Sequence, residues 1–296
     1  MRKISVSGYG CQERLGVSRT FELFHEADLG AIDFSLYSGR ARGLLYIEGE
    51  GSLEERCGRI RALAEKYDIE IGQTHAPFGY REGDGSTLES VSAVYNEAIR
   101  ATKLLGSRLV VLHPINFQKC KGGYHREECR ELNLELYRSL VPTLRETGVT
   151  ALIENMFLTE WIDETFFRHY GTPFSTAEDL ASAKDALGDE FGVCLDTGHA
   201  LITGEDVPLM AETLGDRLLA LHLHDNTGTR DDHLPPYCGK VPFEALMRAL
   251  KKIGYRGNIN FETDLDKVPE EHLPALLRYI SGVGVAFCEM LDGDRV

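Results

Sequence analysis

What the chain lacks narrows its class. No uninterrupted apolar run of about 18 residues occurs anywhere in its 296 residues, so no membrane span is expected. The opening MRKISVSGYG is basic but is followed by no apolar segment of the kind that directs secretion, which sets the expectation of a cytoplasmic protein. The seven cysteines, Cys11, Cys57, Cys120, Cys129, Cys194, Cys238 and Cys288, are odd in number and form no C-x-x-C pair. They indicate neither a disulfide framework nor a zinc ribbon, and read as reduced thiols. Basic residues are the minority, 32 Lys and Arg against 47 Asp and Glu, for a net charge of -15. That balance argues against a surface built as an electrostatic sleeve for nucleic acid, although a local basic patch survives such an average, and it favours a small ligand. No linker-like stretch divides the chain, so a single domain over residues 1–296 is expected.

What is present is a regular alternation. Short β-rich runs fall at Ile4–Val6, Ala31–Phe34, Glu70–Thr74, Arg108–Leu112, Val149–Ile153, Phe191–Leu195, Leu218–Leu221 and Asn258–Phe261. Between them lie stretches with apolar residues recurring at three and four, such as Leu53–Tyr67, Ser86–Leu105, Arg126–Thr147, Thr176–Leu187 and Phe243–Ile253. Gly106, Gly148, Gly188, Gly215 and Gly254 stand where helices end before the next strand. Eight strand–helix units with 43% hydrophobic residues predict an α/β fold, a (β/α)8 TIM barrel, with a doubly wound open sheet as the structural competitor.

In such a barrel the functional residues sit where strands end. The third predicted strand runs into His75, the fourth into His113, the fifth into Glu154 and the sixth into Asp196 with His199 beyond it. The seventh runs into His222, the eighth into Glu262, and the loop after the seventh adds Asp231 and His233. Any one of them alone reads as a capped core group or a helix N-cap. Nine His, Asp and Glu on one rim call for a cation, since clustered buried carboxylates repel one another otherwise. These residue types ligate zinc, manganese or cobalt. His224 and Asn155 are candidates for substrate contact, His224 also for supporting a ligand, because alternation lets His222 and His224 share a face. Trp161, the only tryptophan, stands in a long aromatic loop with Phe157, Phe166 and Phe167 that either walls a ligand pocket or covers the barrel mouth. His25, His125, His169 and His272 read as surface or packing residues.

This ordered set, with Val193-Cys-Leu-Asp196-Thr-Gly-His199, Leu221-His222-Leu-His-Asp-Asn226 and the Asp231-x-His233 spacing, resembles the xylose isomerase-like barrel superfamily over almost the whole chain. That superfamily includes sugar and sugar-phosphate isomerases and epimerases, inosose dehydratases and endonuclease IV. The resemblance implies, as in its epimerases, one manganese, cobalt or magnesium ion on Glu154, Asp196, His222 and Glu262. It equally implies, as in endonuclease IV, three zinc ions on nine ligands, the further five being His75, His113, His199, Asp231 and His233. His75-Ala-Pro-Phe and Leu112-His-Pro look like the isomerase branch, and Tyr237-Cys238 departs from the more usual Gly-Glu in that loop.

The function expected is therefore a divalent-metal-dependent isomerase or epimerase of a sugar or sugar phosphate, with Glu154 and Glu262 exchanging protons with carbon beside a metal-stabilised enediolate. The competitor is a zinc phosphodiesterase acting on abasic DNA. A metal-dependent sugar sensor that catalyses nothing is a third class. An apolar outer helix would offer a face for a second copy of the chain, but no segment marks one.

Overall fold

The computed structural model describes residues 2–39, 45–78, 86–115, 125–162 and 167–293. Cys120 and Phe166 lie outside them. The strands are β1 (Ile4–Ser7), β2 (Ala31–Ser35), β3 (Glu70–His75), β4 (Leu109–Leu112), β5 (Thr150–Glu154), β6 (Phe157–Trp161), β7 (Phe167–Gly171), β8 (Phe191–Asp196), β9 (Leu218–His222) and β10 (Ile259–Phe261). The helices are α1 (Tyr9–Leu15), α2 (Val17–Glu26), α3 (Leu53–Lys66), α4 (Leu88–Leu105), α5 (Arg126–Thr147), α6 (Ala177–Leu187), α7 (Thr197–Thr203), α8 (Val207–Leu214), α9 (Phe243–Lys252) and α10 (Leu273–Asp292).

Eight strands form one parallel sheet in the order β10-β1-β2-β3-β4-β5-β8-β9. The first strand pairs with the last, Ile4 opposite Ile259, which a doubly wound sheet does not do. Leu223, just past β9, completes the ring: its N–H donates to Asn260 O and its carbonyl accepts from Glu262 N, both at 2.9 Å. The TIM barrel is thus nearly closed, with the helices around it.

Local chemistry places the helices. Ser52 and Thr87 form capping boxes at the starts of α3 and α4, and Gly106 and Gly148 end α4 and α5 in the left-handed conformation that a side chain disfavours. The apolar helix α10 is long enough to cross a membrane by length and composition, yet it packs on α2 and α9 and on strands β1 and β10. The aromatic segment expected as a loop is instead an antiparallel ribbon of β6 and β7, with Phe157 opposite Gly171 and Trp161 opposite Phe167.

Candidate metal centre

The pleat puts the centre where it is. Inside the barrel, Val111, Leu152, Cys194 and Ala220 from four consecutive strands make a buried apolar layer of their own. Successive side chains on a strand face opposite ways, so the residue two further along faces inward again, one layer up. Two further along are His113, Glu154, Asp196 and His222. On the other arc Gln73 and Asn260 are followed in the same way by His75 and Glu262. The apolar layer is the floor on which a ring of ligand-type side chains stands.

The remaining groups arrive from turns that the local sequence shapes. Asp196 ends β8 and also caps α7, accepting from His199 N at 2.6 Å, so His199 folds back onto the rim within one turn. Thr197 ties that turn to the next strand: its hydroxyl donates to His224 O at 2.7 Å and accepts from His224 N at 3.1 Å. Asp225 clamps the following loop, accepting from Gly239 N at 2.7 Å and Val241 N at 2.9 Å. That loop carries Asp231 and His233, the latter at φ 46°, a strained conformation for a side-chain-bearing residue.

Hydrogen bonds outside the cluster fix how the imidazoles face it. His75 Nδ1 lies 2.9 Å from Ala76 O, His199 Nδ1 2.9 Å from Asn155 O, and His233 Nδ1 2.7 Å from Glu262 O. His222 Nε2 lies 2.9 Å from Asp33 Oδ2. These oxygens only accept, so each of those nitrogens carries the proton and donates. The opposite nitrogen of every ring then turns inward. His222 Nδ1 meets Glu154 Oε1 at 3.0 Å and Glu262 Oε2 at 3.2 Å, and His233 Nε2 meets Asp231 Oδ2 at 3.0 Å. His75 Nε2 and His113 Nε2 stand 3.0 Å apart, and His113 Nε2 is 2.9 Å from Glu154 Oε2.

Lone pairs of neutral imidazoles aimed at carboxylate oxygens repel unless a proton or a cation lies between them. Asp231 Oδ1 is buried without a hydrogen-bond partner, and Glu154 Oε2, though close to His113 Nε2, receives no well-directed hydrogen bond, as oxygens awaiting a cation would be. The donors fall into four groups, three of them overlapping and the last separate, and within each the atoms lie within 4.8 Å of one another. They are Glu154, Asp196, His222 and Glu262; His75, His113 and Glu154; His75, His222 and Glu262; and His199, His224, Asp231 and His233. The residues present fit a bound divalent cation of the zinc, manganese or cobalt type.

Without a cation the cluster must hold protons. Burial opposes charge on His199, but the Asp196 and Asp231 carboxylates outweigh it and hold the ring well above its ordinary value. His233 is pushed up to about 10, burial again being outweighed by Asp231. Burial raises the carboxyls of Glu154 and Glu262, yet the adjacent His222 holds both below the usual carboxylate range. On His113 burial prevails and lowers the value.

Above the ring opens a cavity of about 390 Å³ walled by Tyr9, Tyr37, Phe78, Met156 and Phe157, with His113, His199, Asp231, His233 and Glu262 at its base. The three residues expected to touch substrate are not in its lining. Asn155 is buried and pairs with the backbone of Asp196, donating to its carbonyl at 2.8 Å and accepting from its N–H at 2.7 Å. His224 is fully buried with Nε2 3.0 Å from both carboxylate oxygens of Asp196, its ring stacked on His233 at 4.0 Å. Trp161 is 64% exposed at the end of the ribbon, against Phe167, and it is Phe157 that reaches the cavity. Asp33 and Gln73 were not singled out from the sequence, because both lie mid-strand, one layer below the rim.

A family model described as xylose isomerase-like TIM barrel matches residues 19–281. Protein y4fM of Sinorhizobium fredii is 42% identical over 79 residues, a stretch that is 27% of this chain and only 25% of that one. Protein MJ1311 of Methanocaldococcus jannaschii is 30% identical over 69% of this chain and 67% of its own. A probable endonuclease 4 of Geobacter sulfurreducens is 28% identical over 65% of this chain and 64% of its own. Among solved structures, a D-tagatose 3-epimerase-like protein superposes with a TM-score of 0.76 at 21% identity, covering 98% of both chains. The IolI protein with a bound zinc atom superposes with a TM-score of 0.68 at 15% identity, again over 98% of both.

Proposed function

Since the chain belongs to the xylose isomerase-like TIM barrel family, we propose that it is a divalent-metal-dependent isomerase or epimerase of a small sugar. The observation that carries this reading is that the group formed by Glu154, Asp196, His222 and Glu262 meets, through Glu262, the base of a cavity of about 390 Å³, a volume suited to a small molecule. These four residues would hold the metal. A divalent cation there would polarise a carbonyl oxygen and disperse the charge that develops when the neighbouring carbon loses its proton. Glu262 reaches the cavity, with 15% of its side chain exposed, and is the candidate to take that proton. Glu154 approaches His222 Nδ1 from another strand and is the candidate to return a proton to carbon. The aromatic walls exclude water from the exchange. Incubating the metal-loaded chain in deuterated water with a panel of ketoses and aldoses tests the reading. Deuterium at carbon, lost in the Glu262→Gln variant, supports it; a sugar that binds without exchange removes it.

A second reading has its own observation. The nine donors expected from the sequence all fall, with His224, into four such groups, one of which joins His75 and His113 to Glu154 and another of which brings His199, Asp231 and His233 together, an arrangement suited to several cations. Such a centre would serve in-line displacement at a phosphodiester, with Glu154 bridging. Cleavage of an abasic-site duplex by the fully metallated chain, abolished by Glu262→Gln, would bring it forward.

A further inference from the structure

His224 stands between two of the donor groups. Its backbone is fixed by Thr197, whose hydroxyl donates to His224 O at 2.7 Å and accepts from His224 N at 3.1 Å. Its ring is fully buried and lies where a Cβ on residue 198 would come within 1.9 Å of Cε1, so it fits only because that residue is Gly198. From there it touches a member of each group: Asp196, which belongs with Glu154, His222 and Glu262, and His233, which belongs with His199 and Asp231.

Its geometry is not that of a ligand beside His233. The rings of His224 and His233 stack at 4.0 Å with 11° between their planes. An imidazole lone pair lies in the plane of its ring, so one cation cannot lie along the lone pairs of both. His233 has the better claim, since its Nδ1 is 2.7 Å from Glu262 O and its Nε2, 3.0 Å from Asp231 Oδ2, faces the carboxylate of its own group. His224 Nε2 is instead 3.0 Å from both oxygens of Asp196, with Asp231 Oδ1 farther off at 3.8 Å.

The other nitrogen of His224 says where its proton sits. Nδ1 is buried with no hydrogen-bond partner. A buried N–H without an acceptor is rarer than a buried acceptor without a donor, so the proton belongs on Nε2 and is donated to Asp196. Asp196 Oδ1 accepts also from His199 N at 2.6 Å. These two donors set the tilt of the carboxylate and leave its remaining lone pairs for a cation. The ring that donates to Asp196 is the ring stacked on His233, so the two groups share one rigid link.

We propose that His224 is a positioning residue, not a ligand, through which a cation held by His199, Asp231 and His233 tightens the site formed by Glu154, Asp196, His222 and Glu262. The inference rests on the reading of the cluster as a metal centre and holds for either reaction. Cobalt(II), whose visible bands report the geometry of its ligands, is added stepwise to the metal-free chain against a chromophoric chelator. In the parent the second equivalent should shift the bands of the first. Coupling is reciprocal, so His224→Gln, which keeps an N–H for Asp196 and removes the stacked ring, should bind the first equivalent as the parent does. It should bind the second at least ~5-fold more weakly and without that shift. His224→Phe, which keeps a ring on His233 and removes the donor, should bind the first about 10-fold more weakly. Bands of the first equivalent that ignore the second in the parent overturn the inference, as does a shift that survives in His224→Gln. Loss of one whole equivalent in both variants would make His224 a ligand and overturn it too. If the parent takes up a single cation, the inference falls and the metal reading stands; if it takes up none, both fall.

Discussion

Asp33 Oδ2 lies 2.9 Å from His222 Nε2, from one layer below the rim. The same oxygen accepts from Gln73 Nε2 at 3.0 Å, and Asp33 is 1% exposed. A buried carboxylate that only accepts holds the proton of His222 on Nε2 and leaves Nδ1 free to face Glu154 and Glu262. Such partners typically change metal affinity by 10–100-fold when removed.

Asp33→Ala is therefore expected to weaken metal binding about 10–100-fold, read by competition with a chromophoric chelator. Asp33→Asn keeps an acceptor oxygen and should lose less. Unchanged affinity in Asp33→Ala, with the far-ultraviolet circular dichroism of the parent, would show that the tautomer is set by something else.

The pH dependence of the metal-free chain follows from His233, held at about 10 beside Asp231. A folded value raised above the unfolded one of about 6.5 stabilises the fold fully below the lower value and ceases to do so as pH rises through the upper one. The chelator-treated chain should lose a few kcal/mol between about pH 6.5 and pH 10, at roughly 2–4 °C of Tm per kcal/mol. With metal bound the cation replaces the proton and the fall should shrink; His233→Ala should flatten it in the metal-free chain. A Tm constant over that range without metal would contradict the charge assignment.

The barrel was legible because its signal is repetitive: each β-rich run is followed by a helical period, and the eight expected strands agree with the observed ones to within a residue or so at each end. The rim was legible because the pleat carries an inward residue to the end of each strand, where His and Glu stand out against the preceding valines and leucines. What lay hidden depends on depth and orientation. Asp33 sits mid-strand among Ala31, Ile32 and Phe34, where nothing in the sequence tells an inward acid from a strand defect. His224 and Asn155 stand beside the ligands in sequence, but their side chains turn under Asp196 rather than toward the cavity. Trp161 drew notice by its rarity, and the ribbon carries it outward.

Gly198 offers a test of how rigid this support is. A Cβ there would stand 1.9 Å from Cε1 of His224, whose ring is held between Asp196 and His233. Gly198→Ala should cost about 1–3 kcal/mol or more by overpacking and disturb Asp196 as well. Gly204, at φ 81° with nothing near its missing Cβ, isolates the backbone cost alone, about 1–2 kcal/mol on Gly204→Ala. If thermal melts show Gly204→Ala lowering stability as much as Gly198→Ala, and metal affinity is untouched in both, the His224 ring is free to move.

The order of metal loading separates the groups from one another. Glu154, Asp196, His222 and Glu262 bring three carboxylates to one imidazole, whereas His199, His224, Asp231 and His233 bring one carboxylate to three imidazoles. Attraction for a divalent cation grows with the negative charge around it, so the first equivalent should enter the three-carboxylate group. Titration of the stripped chain, followed by elemental analysis, should then show that Asp196→Asn abolishes the tightest equivalent and that His233→Ala leaves it. About one retained equivalent of manganese, cobalt or magnesium would make the outlying histidines neighbours of the substrate rather than ligands, in keeping with proton transfer on a sugar. Two or three retained equivalents of zinc, one of them lost in His233→Ala, would instead move the phosphodiester reading to the front.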